Sequence, residues 1–104
     1  MDAIFRALAD ASRRDLLDRL HAEPGQTLGE LCRGPAMSRQ AVSKHLAILE
    51  DANLVVCVRR GREKLHYLNP APIQEIADRW IGKYQRGVVQ GLAALKSRLE
   101  DDNG

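Results

Sequence analysis

Aromatic residues make up only 4% of the sequence, so a core has to be built mostly from Leu, Val, Ile and Ala. Cysteine is scarcer still. Cys32 and Cys57 are the only two, and they are spaced neither as a zinc site nor as a redox pair. No apolar run approaches the roughly 18 residues that suggest a membrane span. The opening "MDAIFRALAD" also lacks the basic-then-apolar form of a secretory signal. These absences imply a cytoplasmic protein with reduced thiols and no membrane partner. A charge excess is missing too: the formal net charge is +2, too small to identify a nucleic-acid binder unless the charge is localised. No nucleophile with a nearby base, phosphate-cradling glycine loop or paired carboxylates emerges, so neither an enzyme nor a cofactor is expected.

What remains is ordinary globular composition, with 44% apolar and 29% charged residues. A chain of 104 residues fits one domain, residues 1–104, with no room for a separate catalytic one. Ile4, Phe5 and Leu8 fall on one helical face, and Asp10 is placed to cap a second helix carrying Leu16, Leu17 and Leu20. "EPG" ends that helix. Thr27 and Glu30 stand at capping-box spacing, which predicts a short third helix with Leu28, Leu31 and Cys32 facing inward, broken by "RGPAM".

Ser38 then caps a fourth helix predicted over about 39–51, with Val42, Leu46 and Leu49 as its buried stripe. Its first two turns instead carry Arg39, Gln40, Ser43 and Lys44. "LVVCVRR" and "EKLHYL" flank a "GR" turn, a two-stranded hairpin whose tip gathers Arg59, Arg60, Arg62 and Lys64. "NPAP" stops the hairpin and starts a last helix predicted from about Pro72 to Leu99. Its apolar stripe includes Trp80, Ile81, Tyr84, Val88 and Leu92, more than a small core can cover. Gly82, Gly87 and Gly91 are costly inside a helix: either they mark a kink, or the Gly87 and Gly91 pair lets another helix approach closely.

A capped short helix, a turn, a helix with a polar opening and a basic hairpin together make a winged helix-turn-helix. The expected fold is mainly α, about five helices plus a two-stranded wing. The polar half of the fourth helix fits the major groove, with Gln40 suited to adenine and Arg39 or Lys44 to guanine or phosphate. Ser43 can serve base or backbone, the cap Ser38 is a further DNA-binding candidate, His45 is either packed or in contact with a phosphate, and the wing at 59–64 would neutralise phosphates.

"LADASRRDLLDRL", "TLGELC", "MSRQAVSKHLAILEDANLV" and "RRGREKLHYLNP" together resemble the ArsR/SmtB family of small bacterial winged-helix repressors. The likeness covers nearly the whole chain. It implies a homodimer formed through the first and last helices, with Ile4, Phe5, Leu8, Trp80, Ile81, Tyr84, Val88 and Leu92 as interface candidates. Such a dimer would bind double-stranded DNA at an inverted repeat and repress its own or a nearby operon.

Many members of that family release DNA on binding a metal, but the ligand motifs are incomplete in this sequence. Cys32 matches the first cysteine of the Cys-x-Cys element, and Gly34 occupies the place of the second. The last helix has no histidine for a zinc or nickel site. "EIADRWIGKYQ" resembles a branch without the usual ligands, so no metal is expected and the inducer stays open. Two alternatives stay open as well: a redox or electrophile sensor using Cys32 and/or Cys57, and a winged-helix module that binds protein.

Overall fold

The computed structural model describes residues 2–34, 36–81 and 95–99. The chain forms two compact units, residues 1–72 and 73–104, and each is described by itself.

In the first unit, α1 (Asp2–Leu8) is followed by α2 (Ala11–Ala22), whose N-cap Asp10 accepts a 3.1 Å bond from the Arg13 amide. That bond pulls the Asp10 carboxyl below the ordinary range. α2 ends before "EPG", as the sequence predicts, and Gly25 adopts φ +82. A Cβ there would meet the Tyr67 hydroxyl at 3.0 Å, so the position needs glycine on both conformational and steric grounds. α3 (Leu28–Leu31) carries the full capping box of Thr27 and Glu30. α4 (Arg39–Asp51) starts at Ser38, whose hydroxyl accepts from the Ala41 amide at 3.1 Å.

α4 is closed by two backbone bonds. The Leu54 amide donates to the Leu49 carbonyl at 2.9 Å and the Asn53 amide to Glu50 at 3.0 Å. This is a Schellman closure with Asn53 as its left-handed residue at φ 60. It turns the chain directly into β1 (Val55–Arg60), which pairs antiparallel with β2 (Glu63–Leu68) across the two-residue turn Gly61-Arg62. Gly61 has φ +63, which a two-residue turn that matches the strand twist demands at its first position.

The core is built from Leu16, Leu20, Leu31, Val42, Leu49 and Leu54, all fully buried, so aliphatic residues from α2, α3, α4 and the entry to the wing meet at one centre. Ile4 and Leu8 pack against it, whereas Phe5 is 46% exposed. The α1 trio is therefore divided between the core and the surface.

One pairing is absent from the sequence reading. Gln26 forms an isolated antiparallel bridge with His66, through bonds of 2.8 Å from the His66 amide to the Gln26 carbonyl and 2.9 Å from the Gly25 amide to the His66 carbonyl. Gln26 and His66 are both buried, and the Gln26 amide group donates to the Arg19 and Glu23 carbonyls at the end of α2. The link between α2 and α3 is thereby fastened to the wing.

α5 (Ala71–Ile76) begins where "NPAP" predicts a helix start, with the Asn69 side chain accepting from the Ala71 amide at 3.2 Å. In the second unit the expected last helix widens into a π-helical segment, Ala77–Ile81. A π turn shifts the side-chain register by one residue, a change that apolar spacing of three and four does not reveal. Residues 95–99 are again helical. The predicted interface positions Tyr84, Val88 and Leu92 lie outside the described residues. No helix among the described residues is long and apolar enough to cross a membrane.

Candidate nucleic-acid interface

α4 has two unlike faces because its apolar residues recur every three or four positions. Val42, Leu46 and Leu49 are buried, while Ser38, Arg39, Gln40, Ser43 and Lys44 are exposed. The core fixes the roll of the helix, and the roll presents those polar groups as one outward row. A helix of 13 residues is about 20 Å long, and the B-DNA major groove, about 12 Å wide, admits one helix of this kind.

Between α3, α4 and the wing lies a groove of ≈ 640 Å³ lined by Thr27, Arg39, Ser43, Arg62, Lys64 and His66, among others. It brings two of the predicted helix contacts together with two of the predicted wing cations. Gln40, Lys44, Arg59 and Arg60 do not line it. His45 is half-buried, and its Nδ1 lies 3.3 Å from the Arg13 guanidinium. A guanidinium can only donate, so that contact uses Nδ1 as an acceptor and leaves Nε2 for a proton.

The wing cations differ in setting. Strand register places Arg59 opposite Lys64 and Arg60 opposite Glu63. Because faces alternate along a strand, Arg59, Lys64, Cys57 and His66 share one face, and Arg60 lies on the other with Val56 and Val58. Lys64 is engaged by Glu50, near the end of α4, with Nζ 3.0 Å from Oε1. The same oxygen accepts the Cys57 thiol proton in a very short hydrogen bond.

These three groups reset one another. Partial burial pushes the Glu50 carboxyl up, but the bonds from Cys57 and Lys64 outweigh it and hold it below the ordinary range. Burial, then the Glu50 hydrogen bond and charge, raise the Cys57 thiol from 9.0 to about 11. The Glu50 bond raises the Lys64 ammonium above its ordinary value. Cys32 and Cys57 are both free thiols and both half-buried; Cys32 packs against the core at the end of α3. Among the described residues no cluster of three or more His, Cys, Asp or Glu side chains is placed to hold a metal ion.

Sequence reasoning missed the arginines that hold the ends of α1 and α3 in shape. Arg19 Nη1 donates to the Leu31 carbonyl at 2.6 Å, and Nη2 to Glu30 and Arg33 at 3.1 and 2.9 Å, closing the C-terminal end of α3. Arg13 does the same for α1, with Nε 2.8 Å from the Ala7 carbonyl and Nη2 3.0 Å from Arg6. Both place a cation at the negative end of a helix dipole. Glu50 was missed as well, since nothing in its own helix marks it as a wing contact.

Residues 8–58 match the helix-turn-helix domain family. The chain is 40% identical to an uncharacterized HTH-type transcriptional regulator of Bacillus subtilis, YuzN, over 77% of this chain and 94% of that one. It is 31% identical to the transcriptional repressor SdpR of the same organism, over 72% of this chain and 82% of the relative. Among solved structures, an ArsR-like transcriptional regulator from Rhodococcus sp. RHA1 matches with a TM-score of 0.76 at 31% identity, covering 96% of this chain and 90% of that one.

Proposed function

The chain belongs to the ArsR-type family of winged helix-turn-helix transcriptional regulators, and from that premise we propose that it acts as a homodimer that represses its own or a nearby operon from an inverted-repeat operator. It is a DNA-binding regulator rather than an enzyme. The observation that carries the finer reading is the exposed row of Arg39, Gln40, Ser43 and Lys44 on a helix whose opposite face is locked into the core. In the proposed docking, α4 lies in the major groove, with Gln40 and Arg39 at base edges and Ser38, Ser43 and Lys44 at base or backbone. The wing follows the phosphates, with Arg62 at its tip.

Dimerisation belongs to the same family reading, with α1 and the last helix as its surface. A two-fold dimer would set two α4 helices roughly 34 Å apart on successive major grooves, which is why an inverted repeat is the expected operator. A repressor role is supported by the likeness to SdpR, which is described as a transcriptional repressor. The reading places the protein in the cytoplasm, with residues 1–104 as one DNA-binding and dimerisation domain. A thiol switch at Cys57 is disfavoured, because a sensor thiol reacts as thiolate and this one is held protonated against Glu50.

Anisotropy titration compares duplex from the chain's own upstream region with scrambled duplex at physiological salt. Tighter binding to the upstream duplex, weakening steeply as salt rises, is expected. Equal affinity for both sinks the sequence-specific claim, and a monomer in sedimentation at the binding concentration sinks the homodimer.

A further inference from the structure

We infer that Glu50 is a built-in counter-charge that withholds Lys64 from DNA phosphates and so restrains non-specific binding, a role that rests on the reading of the wing as a phosphate-contacting element. The geometry that points to it is a single carboxylate oxygen engaged by both strands of the wing. Oε1 of Glu50 takes the thiol proton of Cys57 on β1 and lies 3.0 Å from the Lys64 ammonium on β2. The carboxylate comes from α4, the helix that reads bases, so the pair spans the two DNA-contacting elements.

Lys64 has a reason to need a partner before DNA arrives. Its direct cross-strand neighbour is Arg59, and like charges opposite one another destabilise a strand pair. Glu50 offsets that repulsion in the free protein. The consequence for binding follows from counterion release: a cation neutralises a phosphate only if its charge is available, and Lys64 must first surrender a carboxylate. Arg62, on the turn, is not held in that way by Glu50. Two cations on the same wing are thus set to behave differently toward a polyanion.

The pair is 28% exposed at Glu50 and 47% exposed at Lys64, so it is open to solvent and to variants that leave the fold intact. Glu50→Gln is the informative change. It removes the negative charge while keeping a carbonyl oxygen that can still accept the Cys57 thiol bond.

The test is a salt titration of binding to a labelled scrambled duplex, read as the slope of log affinity against log salt. The chains compared are the unaltered one, Arg62→Ala, Lys64→Ala, Glu50→Gln and the double variant Glu50→Gln/Lys64→Ala, each first checked by thermal unfolding. Arg62→Ala is expected to flatten the slope by about 0.9, one phosphate's worth, and Lys64→Ala to leave it unchanged. Glu50→Gln should steepen it by about 0.9, so that about threefold more affinity is lost over a fourfold rise in salt. The double variant should return it to the unaltered value.

Flattening by Lys64→Ala equal to that of Arg62→Ala overturns the inference, even if Glu50→Gln fails to fold. So does a steepening by Glu50→Gln that survives in the double variant, since it would then be a general field effect rather than release of Lys64. An unchanged slope in Arg62→Ala marks a different failure: the wing is not on the phosphates, and the inference falls with that reading.

Discussion

Arg19 on α2 donates a 2.6 Å hydrogen bond to the Leu31 carbonyl at the end of α3, and its other nitrogen reaches two further carbonyls of the same turn. A charged donor bonded to a carbonyl contributes roughly 1.5–3 kcal/mol. Arg19→Ala is expected to lower unfolding free energy by about 2 kcal/mol. Lysine should restore less than half, because one ammonium cannot fork across three carbonyls. Urea unfolding of the two variants measures this, and a loss within ±0.5 kcal/mol, the range of an ordinary surface change, would show the cap to be incidental.

Asn53 occupies the left-handed region at φ 60, where a Cβ without a polar side chain is costly. Asn53→Ala should therefore destabilise by about 1–2 kcal/mol, whereas Asn53→Gly should be close to neutral or better. Equal losses in the two variants would remove backbone conformation as the reason for asparagine.

Cys57 makes stability depend on pH in the alkaline range. Its thiol titrates near 9.0 when free and at about 11 when folded, so between those values the unfolded chain has released a proton that the native chain keeps. Stability is thus fully supported below pH 9 and falls as pH rises toward 11. Cys57→Ser keeps a donor to Glu50 but does not titrate there, and should remove that part of the decline. The raised Lys64 ammonium adds a loss with the same sign as pH passes its folded value, and this should persist in the serine variant. Parallel denaturation curves for both chains across this window would contradict the assignment.

Gln40 and Arg62 should separate base reading from charge. Gln40→Ala is expected to relax preference at one base pair by about 1–3 kcal/mol with little change in salt slope. Arg62→Ala should weaken all duplexes alike. Competition binding against single-base operator variants measures the first, and unchanged preference would withdraw Gln40 as a base reader.

What was legible in the sequence is local chemistry. Asp10, Thr27 with Glu30, and Ser38 each cap a helix through a partner three residues away, so spacing alone reveals the bond. The Gly61-Arg62 turn is equally local. The long-range links are not: Arg19 meets Leu31 across 12 residues, and His66 meets Gln26 across 40. A seven-residue α1 also carries too few turns for periodicity to tell that Ile4 and Leu8 face the core while Phe5 faces outward. The four wing cations looked alike as a cluster, and only strand register and the position of Glu50 distinguish them.

The closure at Asn53 has one further consequence. Asn69, just after β2, donates its side-chain amide to the Asn53 carbonyl at 2.9 Å and its backbone amide to Leu54 at 2.8 Å, so both ends of the wing are tied to the end of α4. On the proposed docking, the offset between the bases that α4 touches and the phosphates that the wing grips is set by protein covalent and hydrogen-bond geometry. Each half-site would then be gauged as a length of duplex as well as read as letters. One base pair inserted between the two contact zones moves them apart by about 3.4 Å, a misfit that flexing of a pinned wing cannot absorb.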